Sequence, residues 1–157
     1  MSTKRSEFKI VVDTREQLPL WRRGVVRKKL DVGDYSTIKL CNKLCIERKS
    51  PQDLYSSLIG GHVRFMNEIY RAERHKIKLL LYVECSYTVF VSMKWPGGSR
   101  LRMRPENLKK IVDTTFERRK QNGLEVVWCC SRANMAVKIK ARLLAANSLP
   151  NAHNHRQ

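Results

Sequence analysis

Residues 32–53 read V-G-D-Y-S-T-I-K-L-C-N-K-L-C-I-E-R-K-S-P-Q-D, and the fold is decided by how this stretch is arranged. Asp34 opens an alternating run, with Tyr35, Thr37 and Lys39 on one side and Ser36, Ile38 and Leu40 on the other. Cys41-Asn42-Lys43 reads as a reversal, and a second extended run carries Leu44, Ile46, Glu47 and Lys49. Side chains two apart on a strand share a face, so Glu47 and Lys49 point the same way. A hairpin sets the start of its first strand beside the end of its second. Asp34 is therefore expected close to Glu47 and Lys49. Ser50-Pro51-Gln52-Asp53 follows as a helix start: Ser at the cap, Pro at the first helical position and an acid three residues after the cap.

Two carboxylates and a lysine at the end of a hairpin have a chemical use. Carboxylates are hard oxygen ligands of the kind Mg²⁺ or Mn²⁺ prefers, with positions left for water and phosphate. Such an ion makes hydroxide available near neutral pH and offsets charge building on a phosphodiester. A neighbouring lysine positions the attacking water or stabilises that charge. The plainer reading is a hairpin with solvated charges at its open end, and for Asp53 a capping-box acid.

A chain of 157 residues is expected to form one domain, over residues 8–147, with flexible termini at 1–7 and 148–157. A chain that long buries about 68–70% of its unfolded surface and needs no staples. Its 32 Lys and Arg against 14 Asp and Glu give a formal net charge of +18. An excess of that size, spread through the chain, points to a polyanionic partner such as nucleic acid. A basic ribosome- or RNA-associated protein is the plain alternative. The acid cluster argues against it, because acids beside a phosphate backbone cost affinity unless a metal intervenes. The cysteines, Cys41, Cys45, Cys85, Cys129 and Cys130, form no C-x-x-C pair, so thiols in a reducing compartment are expected rather than a zinc site. No secretory segment follows Met1 and no apolar run reaches membrane-spanning length. An intracellular protein away from membranes is the expectation.

Outside the hairpin, Phe8–Val12 is a short apolar run ending in Asp13, expected as a buried strand. Trp21–Leu30 is basic, and Arg22 and Arg23 are candidates for phosphate contact. Residues 51–59 and 62–75 show helical spacing, the second with Val63, Met66, Ile69 and Tyr70 as its apolar stripe and Arg64 off it. Lys78–Glu84 is a continuous apolar run expected as a central strand. Cys85–Arg104 reads as irregular, with Arg100 and Arg102 on a basic loop. Pro105–Gln121 is a helix, Leu124–Cys129 a strand, and a last helix runs to about Ala146. The order is that of an α/β domain with a mixed sheet flanked by helices. No G-x-G-x-x-G or Walker loop is present, so no nucleotide cofactor is indicated.

Val12-Asp13-Thr14-Arg15-Glu16, Val32-Gly33-Asp34-Tyr35 and Ile46-Glu47-Arg48-Lys49-Ser50 with Asp53-Leu54 resemble the nuclease domain of the XPF/Hef structure-specific endonucleases. That family's signature, G-D-x(n)-E-R-K-x-x-x-D, is complete here, and the resemblance extends over roughly residues 8–146. It implies a restriction-endonuclease-like fold of the PD-(D/E)XK type and metal-dependent cleavage of branched, flap or fork DNA in repair or recombination, with Mg²⁺ or Mn²⁺ as cofactor. Carried over by position, Asp34 and Glu47 resemble the metal-binding carboxylates, with Asp13 a supporting acid of the metal and catalytic set. Lys49 resembles the catalytic lysine. Arg15, Glu16, Arg48 and Asp53 match supporting positions, Arg48 through its backbone carbonyl, and Arg64 is a DNA contact. The family's nuclease domains pair, and the candidate interface here, for a homodimer or heterodimer, is Val126–Trp128 with the helix Ala136–Leu144. The second reading is a non-catalytic branched-DNA-binding module that partners an active nuclease.

Overall fold

The structure, a computed structural model, describes residues 7–150. The expected flexible termini fall largely on residues 1–6 and 151–157, which lie outside the described residues. Six strands form one mixed sheet: β1 (Ile10–Val12), β2 (Val26–Arg27), β3 (Tyr35–Thr37), β4 (Leu44–Lys49), β5 (Lys78–Val83) and β6 (Glu125–Trp128). Their order across the sheet is β2-β1-β3-β4-β5-β6. β3 runs antiparallel to both neighbours, whereas β4, β5 and β6 are mutually parallel. The helices are α1 (Pro51–Ile59), α2 (His62–Arg74), α3 (Tyr87–Val91), α4 (Pro105–Lys120) and α5 (Arg132–Ser148).

Strand period assigns the side chains to two cores. On one face Val11, Cys45, Leu79, Leu81 and Val83 pack with Leu54 and Leu58 of α1 and Phe65, Met66 and Ile69 of α2. On the other, Ile10, Val12, Tyr35, Ile46, Leu80 and Tyr82 pack with Met135, Ile139 and Leu143 of α5. β5 is paired on both edges and buried from Leu79 to Val83, the burial expected of a continuous apolar run between two helix layers.

Local signals set the helix ends. The Ser50 hydroxyl accepts from the Asp53 amide at 3.1 Å, with Pro51 at the first turn, and Gly60 ends α1. Ser131 caps α5 in the same way. Two expectations change. The buried stripe of α2 is Phe65, Met66, Ile69 and Ala72, while Val63 is 73% exposed, because the helix docks with the face that carries Phe65. Cys85–Arg104, read as irregular, carries α3 and a short 3-10 turn at Gly98–Arg100. Ser86 caps α3, and Trp95 is 3% exposed, stacks on Phe90 and donates its indole N–H to the Phe90 carbonyl at 3.2 Å.

Candidate active site

Asp34 stands one residue before β3, and Glu47 and Lys49 end β4. Tyr35 lies opposite Ile46, and the Asp34 amide donates to the Ile46 carbonyl at 2.8 Å. That register places the Asp34 carboxylate over the Arg48 amide, which donates to Oδ2 at 2.8 Å. Lys49 Nζ lies 3.0 Å from Glu47 Oε1, and both side chains are largely buried. The hairpin therefore brings together Asp34, Glu47 and Lys49, at the floor of a cleft of about 790 Å³. Its walls come from residues 15–18, α1 and the start of α2, and include Arg15, Glu16, Asp53, Arg64 and Glu68.

Charges are crowded there. Burial pushes the Asp34 carboxyl up to about 6; the Arg48 amide pulls against this while Glu16 and Glu68 add repulsion. Burial, then the charges of Asp34 and Glu68, push Glu47 well above the ordinary carboxylate range. Burial alone would lower Lys49, yet Glu47 beside it holds its pKa above the usual value. Two acids desolvated side by side with one compensating amine favour a cation between them. Among the described residues no three His, Cys, Asp or Glu side chains are arranged to hold a metal ion. Two carboxylates with room for water and phosphate match what Mg²⁺ takes from proteins, since it rarely uses an all-protein cage. Asp34 and Glu47 fit that donor set.

The Asp13 carboxylate is already bonded. Its Oδ1 accepts from the Arg15 amide and Nε, both at 2.8 Å, and its Oδ2 from Arg15 Nη2 at 3.1 Å and the Leu30 amide at 2.7 Å. A carboxylate has about four lone-pair sites, and these contacts engage both oxygens. Asp13 thus holds Arg15 and the chain at Leu30, and it lines the same small hollow as Asp34 and Glu47. Burial raises its pKa, but the bonds from Arg15 and Leu30 outweigh this and keep it below the ordinary value.

Arg48 points to the opposite face of the sheet. Its guanidinium holds Glu16 through Nε and Nη2 at 3.2 Å and Glu84 through Nη1 at 2.8 Å. Arg132, at the start of α5, meets the same Glu84 oxygen at 3.1 Å and binds the Leu18 carbonyl at 2.7 Å. The Arg48 amide meets Asp34, while its side chain braces Glu16 on the cleft wall. Asp53 is exposed on the cleft wall beyond the cap it shares with Ser50. Arg64 lies at the cleft mouth. Arg22, Arg23, Arg100 and Arg102 are exposed but line no part of the cleft. Trp21, beside Arg22, packs edge-on against Tyr35 on the α5 face. Sequence reasoning missed Glu68 and the partners of Arg48. The i, i+3 rhythm of α2 could have marked Glu68 as lying on the same flank as Arg71.

A mixed sheet whose hairpin ends in an acid and an E-x-K triplet, with helices on both faces, defines the restriction-endonuclease-like nuclease fold. The ERCC4 domain model matches residues 12–141, and the chain belongs to the ERCC4 domain family. Among solved structures, XPF from Aeropyrum pernix superposes with a TM-score of 0.65 at 21% identity, over 89% of this chain and 65% of that one. XPF from Aeropyrum pernix in complex with DNA gives 0.65 and 21%, over 93% and 69%. At this identity the likeness shows the fold, and the chain spans about two thirds of the length of those structures. Comparison with curated proteins returns no match.

Proposed function

We propose that this chain is an endodeoxyribonuclease that hydrolyses phosphodiester bonds with the help of Mg²⁺ or Mn²⁺, at branched, flap or fork DNA in repair or recombination inside the cell. The observation that carries it is the meeting of Asp34, Glu47 and Lys49 at the floor of one cleft, supported by membership of the ERCC4 domain family. The net charge of +18 suits a nucleic-acid partner. Asp34 and Glu47 would hold the cation, which when bound supplies an acidified water and offsets phosphoryl charge. Glu47 orients the Lys49 ammonium toward the space where an attacking water or a phosphate oxygen would lie. Arg15 is held by Asp13, and Arg64 stands at the mouth, so each can meet backbone phosphates on the way in.

The test is cleavage of end-labelled flap and splayed-arm DNA with Mg²⁺ or Mn²⁺. Wild type should cut, and Asp34→Ala should bind the same DNA but lose more rate than the roughly 10–100-fold that removal of a group merely supporting a metal ligand costs. Wild type that binds branched DNA yet yields no product with either metal would instead establish the non-catalytic binding module.

A further inference from the structure

We propose that Glu68 is a positioning residue for Asp34, through which α2 clamps the turn that carries this acid. The catalytic consequence rests on the nuclease reading above; the contact itself does not.

Residues 31–33 form a turn shaped by Gly33, whose φ is +74°. A Cβ there would stand 3.0 Å from the Ile46 carbonyl oxygen and 3.1 Å from Cys45 Cβ, so the hairpin closes on bare backbone. Past Gly33 the chain is held on both sides: the Asp34 amide bonds to Ile46, and the Asp34 carbonyl accepts from the Asp13 amide at 2.8 Å. The Gly33 amide is left outside this ladder, and Glu68 Oε1 takes it at 3.1 Å.

Two further contacts come from Arg71 on the same flank of α2 and from His75, the residue that ends it. Arg71 Nη1 reaches the Asp31 carbonyl at 3.5 Å, and His75 Nδ1 stands 3.7 Å from Asp31 Oδ2, an ion pair when His75 is protonated. α2 and the residue that ends it thus grip three points of the turn immediately before Asp34. A misplacement of about 1 Å in a reacting group can cost on the order of a hundredfold in rate, so the turn must be fixed from somewhere. The strand-borne signature does not include α2; Glu68 lines the cleft, and with Arg71 it also lines the smaller hollow shared by Gly33, Asp34 and Glu47.

The test compares Glu68→Gln with Glu68→Ala. Gln keeps a carbonyl oxygen for the Gly33 amide and removes the charge; Ala removes both. The expected result is Glu68→Gln within about twofold of wild type, and Glu68→Ala about tenfold lower in kcat with KM for DNA little changed, the usual scale for a group supporting a metal ligand. Glu68→Gln as impaired as Glu68→Ala would overturn the proposal, because the charge would then be needed at the reacting centre. A fully active Glu68→Ala would overturn it too. Solvent exchange of the Gly33 amide, followed by NMR, reads the contact without activity. It should be slow in wild type and Glu68→Gln and fast in Glu68→Ala, and equal rates in all three refute the clamp. An inert wild type with both metals would sink the nuclease reading, and the Gly33 amide would then decide the clamp.

Discussion

At the scale of the residue, Asp13, buried, and Asp34, half-buried, are two acids joined by one backbone hydrogen bond and turned to different work. Asp13 is 2% exposed and bonded to Arg15 and Leu30. Its folded pKa lies below the ordinary 3.8, so its stabilising effect is present above pH 3.8 and is lost as pH falls through the lower folded value. Asp13→Asn should therefore cost about 3 kcal/mol near neutral pH, where a charged acceptor is replaced. The gap in Tm between variant and wild type should narrow once pH drops below 3.8. Thermal unfolding across pH checks this, and a gap constant down to the acid limit would contradict it. The contrast with Asp34 also shows what a one-dimensional reading reaches. Asp34, Glu47 and Lys49 were legible because a two-residue period and a short reversal decide their meeting locally. The filling of Asp13's oxygens was not, since Leu30 comes from a different segment. Nor was Glu68, whose place depends on how α2 docks.

At the scale of the element, what escaped the sequence is what is short. β2 is two residues and α3 five, too few to show a period. β2 forms because β1 offers it a parallel ladder, with Val26 opposite Val11. α3 forms because Ser86 caps it and Phe90 finds Trp95 and Trp128. The Trp-Pro-Gly-Gly run reads as a breaker, yet Trp95 is an anchor. Gly98 lies so close under its ring that a Cβ would come within 2.9 Å of the indole. Trp95→Ala should cost about 3–5 kcal/mol, as large core truncations do. For a chain this size that lowers Tm by roughly 6–20 °C. Circular dichroism melting decides it; a neutral variant would show that Trp95 is no anchor.

At the scale of the whole molecule, α5 and β6 leave apolar surface uncovered. Val137 is 69% exposed and Leu144 47%, seven residues apart on α5. Tyr87, Phe116 and Trp128 line a hollow beside β6, whose outer edge pairs with no other described strand. The resemblance-based proposal of a homodimer or heterodimer through Val126–Trp128 and the helix Ala136–Leu144 can be tested at these residues. Val137→Glu together with Leu144→Glu should shift sedimentation toward monomer while the melting temperature holds within a few degrees. A wild type that already sediments as a monomer at high concentration refutes a homodimer. The sheet adds a different safeguard. β4 is the strand that bears the reactive groups, and it is locked between an antiparallel partner and a parallel one. Sliding it by a single position would swing Arg48 into the cleft and send Glu47 and Lys49 into the hydrophobic layer beneath α5. A misthreaded molecule could not keep its core, so the polypeptide proofreads its own reactive centre simply by folding.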